Sequence, residues 1–230
     1  MTFVLMLGSA PMATQAADWP RAFDALVAIN NAWRVRADWD FSIYPWDFPP
    51  DRIALPGPDQ ALVTEADFVP AQNRYGGFVY AGATMAYTAA YWALDALKPS
   101  VLAVFGCDMH YPAGQTHFYG VGTPDPLRAD ITLRSLEAKS VRLMVKAAQQ
   151  GCAVVNLSTG PSRLMCPRAA LSDMAFVRPL NFNPTQVAQA QTREAELGYF
   201  SASGRYWENL SAYNVDEIDA LDALWLACLP

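Results

Sequence analysis

The sequence contains few charged residues, and basic residues are the scarcer kind. Charged side chains make up 17% of the 230 residues and hydrophobic ones 53%, which excludes a disordered chain and favours a well-buried globular core. Lys and Arg number 16 against 22 Asp and Glu, giving a net charge of −6. A nucleic-acid-binding surface needs clustered basic residues, so we expect no nucleic acid among the partners.

The chain also lacks cysteine pairs, histidine-rich tracts and long apolar runs. Its four cysteines are Cys107, Cys152, Cys166 and Cys228. Their spacing matches no CxxC pair or zinc site, so we expect no metal and interpret them as buried thiols in a reducing cytoplasm. No apolar run approaches the roughly 18 residues of a membrane span. The apolar run Thr2–Leu7 has no Lys or Arg before it, which favours a first buried strand over a signal peptide.

Short apolar runs alternate with helical patterns along the chain. The predicted strands are Phe3–Leu7, Phe23–Ile29, Asp40–Tyr44, Ala61–Val69, Val101–Phe105 and Cys152–Leu157. The predicted helices are Gly82–Leu97, Leu133–Gln149, Pro184–Leu197 and Val215–Cys228. This alternation predicts an α/β fold with a mainly parallel, doubly wound sheet flanked by helices. We expect residues 1–170 to form the α/β domain and residues 171–230 a helical extension packed on it.

The densest group of chemically active side chains follows the strand Val101–Phe105. Its members are Asp108, His110, Tyr111, Thr116, His117 and Tyr119. Both histidines of the chain lie in this group. Ligands of open α/β sheets bind beyond the carboxyl ends of the strands, so the position predicts a functional site. The alternative is a surface loop with a capped turn and two solvated histidines.

Three further segments have small or amide side chains where a ligand could approach. The first loop consists of Gly8, Ser9, Ala10 and Pro11. Asn30 and Asn31 follow the second strand, where they could contact a base or ribose edge or form an Asx-turn. The third segment, at the start of the helix Gly82–Leu97, consists of Gly82, Ala83 and Thr84. Free amides there could hold a phosphate, or the small residues could merely allow close packing.

The order of these segments resembles a domain shared by three protein groups. They are the archaeal 6-hydroxymethylpterin diphosphokinase-like proteins, the motility accessory factors that modify flagellin, and bacterial sialyltransferases of the Campylobacter type. The segment from Gly106 to His117 has the pattern G-x-D-x-x-Y-x-x-G-x-T-H, which carries most of the resemblance. The resemblance covers about residues 1–164. It implies a Rossmann-like domain that binds a nucleotide or a nucleotide-sugar.

The resemblance also implies roles for individual residues. The nucleotide would be surrounded by Gly8, Ser9, Ala10, Pro11, Asn30, Asn31, Gly82, Ala83, Thr84, Gly106, Tyr111 and Tyr119. Asp108, His110 and His117 would be the catalytic residues. The family usually has a second glycine or an asparagine where this chain has Ala10. The sialyltransferases have a histidine base in a segment that corresponds to residues 121–132, which contain none, so the base would be His117 or His110.

Three functions are consistent with this resemblance. The first is a glycosyltransferase whose donor is a nucleotide-activated sugar, for example a CMP-linked nonulosonic acid, and whose acceptor is a glycan or protein. It needs no cofactor. The second is a diphosphokinase that uses ATP, with Asp108 helping to hold Mg²⁺, although no GxxxxGK[ST] motif is present. The third is a nucleotide-binding protein without turnover.

Overall fold

The computed structural model describes residues 1–111, 114–123 and 125–230. Its strands are β1 (Phe3–Leu7), β2 (Ala25–Ile29), β3 (Phe41–Ile43), β4 (Ala61–Val63), β5 (Val101–Phe105) and β6 (Ala153–Asn156). Its α-helices are α1 (Glu65–Arg74), α2 (Phe78–Ala81), α3 (Met85–Ala96), α4 (Leu136–Ala148), α5 (Pro184–Leu197) and α6 (Val215–Leu226). The 3₁₀ helices are Pro11–Asp18, Asn30–Arg34, Pro50–Arg52, Asp125–Leu127, Ile131–Leu133, Leu171–Asp173 and Tyr206–Ala212.

The strands form one sheet in the order β4-β3-β2-β1-β5-β6, and every neighbouring pair is parallel. The chain moves outward from β1 to β4 and then crosses back to β5, on the other side of β1. The direction of winding therefore reverses between β1 and β5, as it does in doubly wound folds. The register pairs Leu7 with Phe105, so these two strands end level with each other. The prediction of a Rossmann-like α/β fold with a parallel sheet is confirmed.

The two faces of the sheet are covered differently. Val4 and Met6 of β1 face a core built from α1 to α6, whereas Leu5 and Leu7 face the opposite side. That second core is completed by 3₁₀ helices and loops, with Ala13 and other residues of small volume against the sheet. Both faces of a central parallel strand are buried, which explains why β1 and β5 are continuous apolar runs.

The prediction of a strand over Ala61–Val69 is wrong beyond Val63. Thr64 adopts an extended conformation and its amide donates to the Asp67 carboxylate at 2.9 Å. This reciprocal cap begins α1 at Glu65, so the apolar residues after it belong to a helix. The helix predicted over Gly82–Leu97 begins three residues later, at Met85, because Gly82 has a φ of +87° that no α-helix accepts.

Buried ion pairs attach the last two helices to the rest of the fold. Arg142 of α4 donates to both carboxylate oxygens of Glu194 in α5, at 2.6 and 2.8 Å. Lys139 of α4 donates to Asp222 of α6 at 2.7 Å. Charges this deeply buried are costly unless paired, so the contacts fix how α5 and α6 pack. In the described ranges, no helix is long and apolar enough to cross a membrane.

Candidate functional site

A cleft opens at the carboxyl ends of β1 and β5, at the point where the winding of the sheet reverses. Its volume is about 150 Å³, below the roughly 300–1,000 Å³ of most ligand pockets. It would therefore enclose part of a nucleotide-sized ligand. Most of the residues that the sequence singled out line it, namely Gly8, Ser9, Ala10, Asn30, Thr84, Gly106, His110, Tyr111, His117 and Tyr119. Six of them do not line it, namely Pro11, Asn31, Gly82, Ala83, Asp108 and Thr116.

The floor of the cleft is a close contact between the loops after β1 and β5. The amide of Gly8 donates to the carbonyl of Phe105 at 2.8 Å, and that of Ala10 donates to the carbonyl of Gly106 at 3.0 Å. A Cβ on Gly8 would lie 2.3 Å from that Gly106 oxygen. Two amides of the loop are thus already bonded, and Pro11 has none to offer. The first loop shapes the cleft, but it offers few donors to a phosphate.

The amino terminus of α3 forms one wall of the cleft. Thr84 caps the helix, and its hydroxyl oxygen accepts from the amide of Tyr87 at 3.3 Å. Met85 and Ala86 line the cleft, and no residue in the described ranges accepts a hydrogen bond from their amides. Free amides at a helix amino terminus, together with the helix dipole, favour a bound anion. The two amides of this helix end that have no acceptor among the described residues are therefore those of Met85 and Ala86.

Gly82 and Ala83 are the first two residues of the segment that was predicted to bind a phosphate, and their backbone amides donate hydrogen bonds within the protein. The amide of Gly82 donates to the Phe78 carbonyl at 2.9 Å and ends α2. The amide of Ala83 donates to the hydroxyl of Thr132 at 3.2 Å. The amides of Gly82 and Ala83 are thus bonded within the protein and neither residue lines the cleft, an arrangement that favours the close-packing alternative for these small residues.

His117 lies on a tight turn that is bonded to the first loop. Its backbone exchanges two hydrogen bonds with Gly120, each at 3.0 Å, and the amide of Phe118 donates to the carbonyl of Ser9 at 3.0 Å. These contacts place His117 at the floor of the cleft, although it follows β1 by more than a hundred positions in the sequence. His117 is only 8% exposed although it lines the cleft.

Aromatic rings and one hydroxyl surround the imidazole of His117. The ring stacks on Tyr119 with centroids 5.0 Å apart and lies 5.8 Å from the ring of Tyr111. Nδ1 is 2.9 Å from Oγ1 of Thr116, and no residue in the described ranges makes a hydrogen bond to Nε2. Burial lowers the pKa of His117, so the imidazole is neutral near pH 7. Burial raises the pKa of Tyr111, so its hydroxyl remains a donor.

Asp108 does not face the cleft, although the resemblance implies a catalytic role for it. The residue is 5% exposed, and its Oδ1 accepts from the side-chain amide nitrogen (Nδ2) of Asn156 at 2.9 Å. Arg168 lies 3.7 Å from the same oxygen. Oδ2 is buried without a donor among the described residues. The side chain thus turns from β5 toward the loop after β6, where it contacts that loop.

The two asparagines after β2 have different surroundings. Asn30 lines the cleft in a left-handed conformation, with a φ of +53° that asparagine tolerates better than most residues. Asn31 is 2% exposed and points into the protein. His110 is an exposed residue at the rim of the cleft.

The cleft contains few charges. None of the described residues that line it is Lys or Arg, and its one acidic residue, Asp125, forms an ion pair with Arg128. Arg128 also contacts Asp130 at 3.1 Å, and Tyr206 donates to that same carboxylate at 2.7 Å. An anion in the cleft would therefore be held by amides and hydroxyls. In the described part of the chain no three His, Cys, Asp or Glu side chains are grouped as metal ligands.

Several lining residues, including Met85, Ala86 and Asp125, were not predicted from the sequence. Thr84 directly before an apolar helical pattern was a signal for the true helix start. A second cavity, of about 290 Å³, lies at the opposite end of the sheet between Tyr75, Asp95, Lys98 and Gln150. It contains none of the predicted site residues and is far from the reversal of the winding.

No protein-family model, curated protein or solved structure gives a match to this chain. The support for any function is therefore the geometry of the cleft.

Proposed function

We propose that the protein is a glycosyltransferase that binds a nucleotide-activated sugar in this cleft and uses His117 as its base. One observation carries the proposal. A neutral imidazole and a helix amino terminus whose first two amides have no acceptor among the described residues line the same cleft, at the reversal point where α/β sheets bind ligands. A transferase of this kind needs a proton acceptor beside a binding site for an anionic leaving group.

The donor that fits best has a single phosphate. The amides of Met85 and Ala86 and the hydroxyls of Tyr111 and Tyr119 are among the donors that line the cleft. A diphosphate would place two adjacent phosphate charges against amides and hydroxyls alone, because the described lining residues include no lysine or arginine. A CMP-linked nonulosonic acid, the donor implied by the resemblance to sialyltransferases, meets this requirement.

The reaction requires one proton transfer and one displacement. Nε2 of His117 accepts the proton of the acceptor hydroxyl while that oxygen forms a bond to the anomeric carbon of the donor. The bond between the anomeric carbon and the phosphate oxygen breaks, and its electron pair leaves with the nucleoside monophosphate. The free amides at α3 stabilise the charge that develops on the phosphate. General base catalysis of this kind contributes about 10²–10⁴ in rate.

The diphosphokinase alternative has less support from the site. It requires Asp108 to help hold Mg²⁺ with ATP, and Asp108 is buried against Asn156 outside the cleft. A nucleotide-binding protein without turnover would use the same cleft. Only an assay for product formation distinguishes this function from the transferase.

A ligand screen followed by turnover assays tests the proposal. We expect CMP to raise the melting temperature more than UDP, GDP or ATP, because a ligand at 100 times its Kd adds about 2.7 kcal/mol of stability. The protein should then release CMP from a CMP-activated sugar in the presence of EDTA. Absence of stabilisation by all four nucleotides would contradict the assignment of the cleft.

Substitution of the histidines tests the role of the base. His117→Gln should bind CMP with nearly unchanged affinity but turn over about a hundredfold more slowly or worse, since the amide cannot accept the proton. His110→Gln is the comparison variant at the rim of the same cleft. Loss of turnover in His110→Gln with normal turnover in His117→Gln would assign the base to His110.

A further inference from the structure

We infer that Thr116 is a positioning residue that holds the proton of neutral His117 on Nδ1 and so leaves Nε2 unprotonated. The assignment of the tautomer rests on hydrogen bonds alone. Its consequence for turnover rests on the proposed function, in which Nε2 is the base.

The hydroxyl of Thr116 makes three contacts. The amide of Gly122 donates to Oγ1 at 2.8 Å, and Oγ1 lies 3.2 Å from the carbonyl oxygen of the same glycine. Oγ1 is also 2.9 Å from Nδ1 of His117. The hydroxyl is therefore bonded to both backbone groups of Gly122 and to one nitrogen of the imidazole.

Counting protons selects one tautomer. A hydroxyl has one proton to donate and two lone pairs to accept with. If Nδ1 carries the imidazole proton, it donates to Oγ1, the amide of Gly122 donates to Oγ1, and the hydroxyl donates to the Gly122 carbonyl. All three contacts are then hydrogen bonds. If Nε2 carries the proton, the hydroxyl must donate to Nδ1 and the carbonyl loses its donor.

Gly122 can make these contacts because it has no side chain. A Cβ at this position would lie 2.6 Å from Nδ1 and 2.8 Å from Cε1 of His117. The backbone of Gly122 therefore packs directly against the edge of the imidazole while it bonds to Thr116. This close packing restricts the orientation of the imidazole, while the hydrogen bonds of Thr116 hold its proton on Nδ1.

A hydroxyl sets the tautomer without adding charge. A carboxylate at Nδ1 would orient the ring equally well, but it would favour the protonated imidazole. The neighbours of the ring include Thr116, Tyr111, Tyr119 and the backbone of Gly122, all of which are uncharged. With an uncharged partner at Nδ1, the imidazole keeps Nε2 as an acceptor at neutral pH.

The test is the tautomer of His117 measured by long-range ¹H–¹⁵N NMR on the whole protein. The chain has two histidines, so the spectrum of His110→Gln assigns the signals of His117. We expect the proton on Nδ1 in the native protein and in Thr116→Ser, which keeps the hydroxyl. In Thr116→Val, which has a similar shape and no hydroxyl, a substantial fraction of the molecules should carry the imidazole proton on Nε2.

Turnover provides the second measurement. Thr116→Val should be about fivefold to tenfold slower with nearly unchanged affinity for CMP, the factor expected for loss of one neutral hydrogen bond, and Thr116→Ser should retain most of the rate.

A proton on Nε2 in the native protein overturns the inference, even if Thr116→Val does not fold. An unchanged tautomer in a folded Thr116→Val overturns it as well. The expected tautomers in a protein that transfers no sugar would support the role of Thr116 and contradict the proposed function instead.

Discussion

Replacement of Met85 by proline removes one of the two amides that we assign to the phosphate while leaving α3 in place. Met85 is the first residue of the helix, where proline is tolerated because that amide has no partner within the helix. Thr84, which would precede the proline, is extended with a φ of −91° and a ψ of 149°. This is the conformation that a residue before proline prefers.

The expected loss follows from the kind of hydrogen bond removed. A hydrogen bond to a charged group contributes about 1.5–3 kcal/mol, so CMP should bind about ten to a hundred and fifty times more weakly. At a CMP concentration of 100 times the native Kd, a thirtyfold loss would reduce the ligand stabilisation from about 2.7 to about 0.9 kcal/mol.

The assay is the shift in melting temperature with CMP, with calorimetric titration as a direct measure of Kd. Met85→Ala is the matched control, because it removes the same half-buried side chain and keeps the amide. We expect Met85→Ala to bind CMP with nearly native affinity. Equal weakening in both variants, or in neither, would refute the assignment of the phosphate to the amino terminus of α3.

Further predictions concern pH and stability. Because burial lowers the pKa of His117, turnover should be constant above about pH 7 and should fall only below the ordinary histidine pKa near 6.5. A pH–rate profile in which turnover already declines as the pH falls toward about 7 would contradict the role of His117 as the base. Glu194→Gln, which removes the charge opposite a buried guanidinium, should lower the free energy of unfolding in urea by about 3–5 kcal/mol, while the exposed Glu196→Gln should change it by less than about 0.5 kcal/mol. Similar changes in the free energy of unfolding for the two variants would contradict the buried ion pair between Arg142 and Glu194. Gly8→Ala forces the backbone contact with Gly106 apart and should cost about 1–3 kcal/mol in the same assay, and an unchanged urea midpoint would contradict that contact.

The stability contributed by Glu194 should also depend on pH in a defined direction. Burial alone would raise the pKa of Glu194, but the charge and hydrogen bonds of Arg142 outweigh it and lower the pKa. The contribution is therefore fully present above the ordinary pKa near 4.3 and is lost as the pH falls below that value.

Elements whose limits are set by local chemistry were predictable from the sequence. The predicted bounds of β1 and β5 are those of the structure, because both strands are continuous apolar runs that end at a glycine. Helix α5 also has its predicted bounds, between the capping side chain of Asn183 and the left-handed Gly198. The region after Val63 was predicted wrongly because a short apolar run does not by itself distinguish a strand from a buried helix.

The sequence also determined which residues follow the strands at the carboxyl edge of the sheet, and hence most of the lining of the cleft. Only the tertiary structure decided which way their polar groups point. Asp108 and His110 are two positions apart, yet one is buried against Asn156 and the other lies at the rim of the cleft. The amides of Gly8 and Ala10 are bonded to the last residue of β5 and to the glycine after it, almost a hundred residues later. Such pairings depend on which strands are neighbours, and no local pattern in the sequence records that.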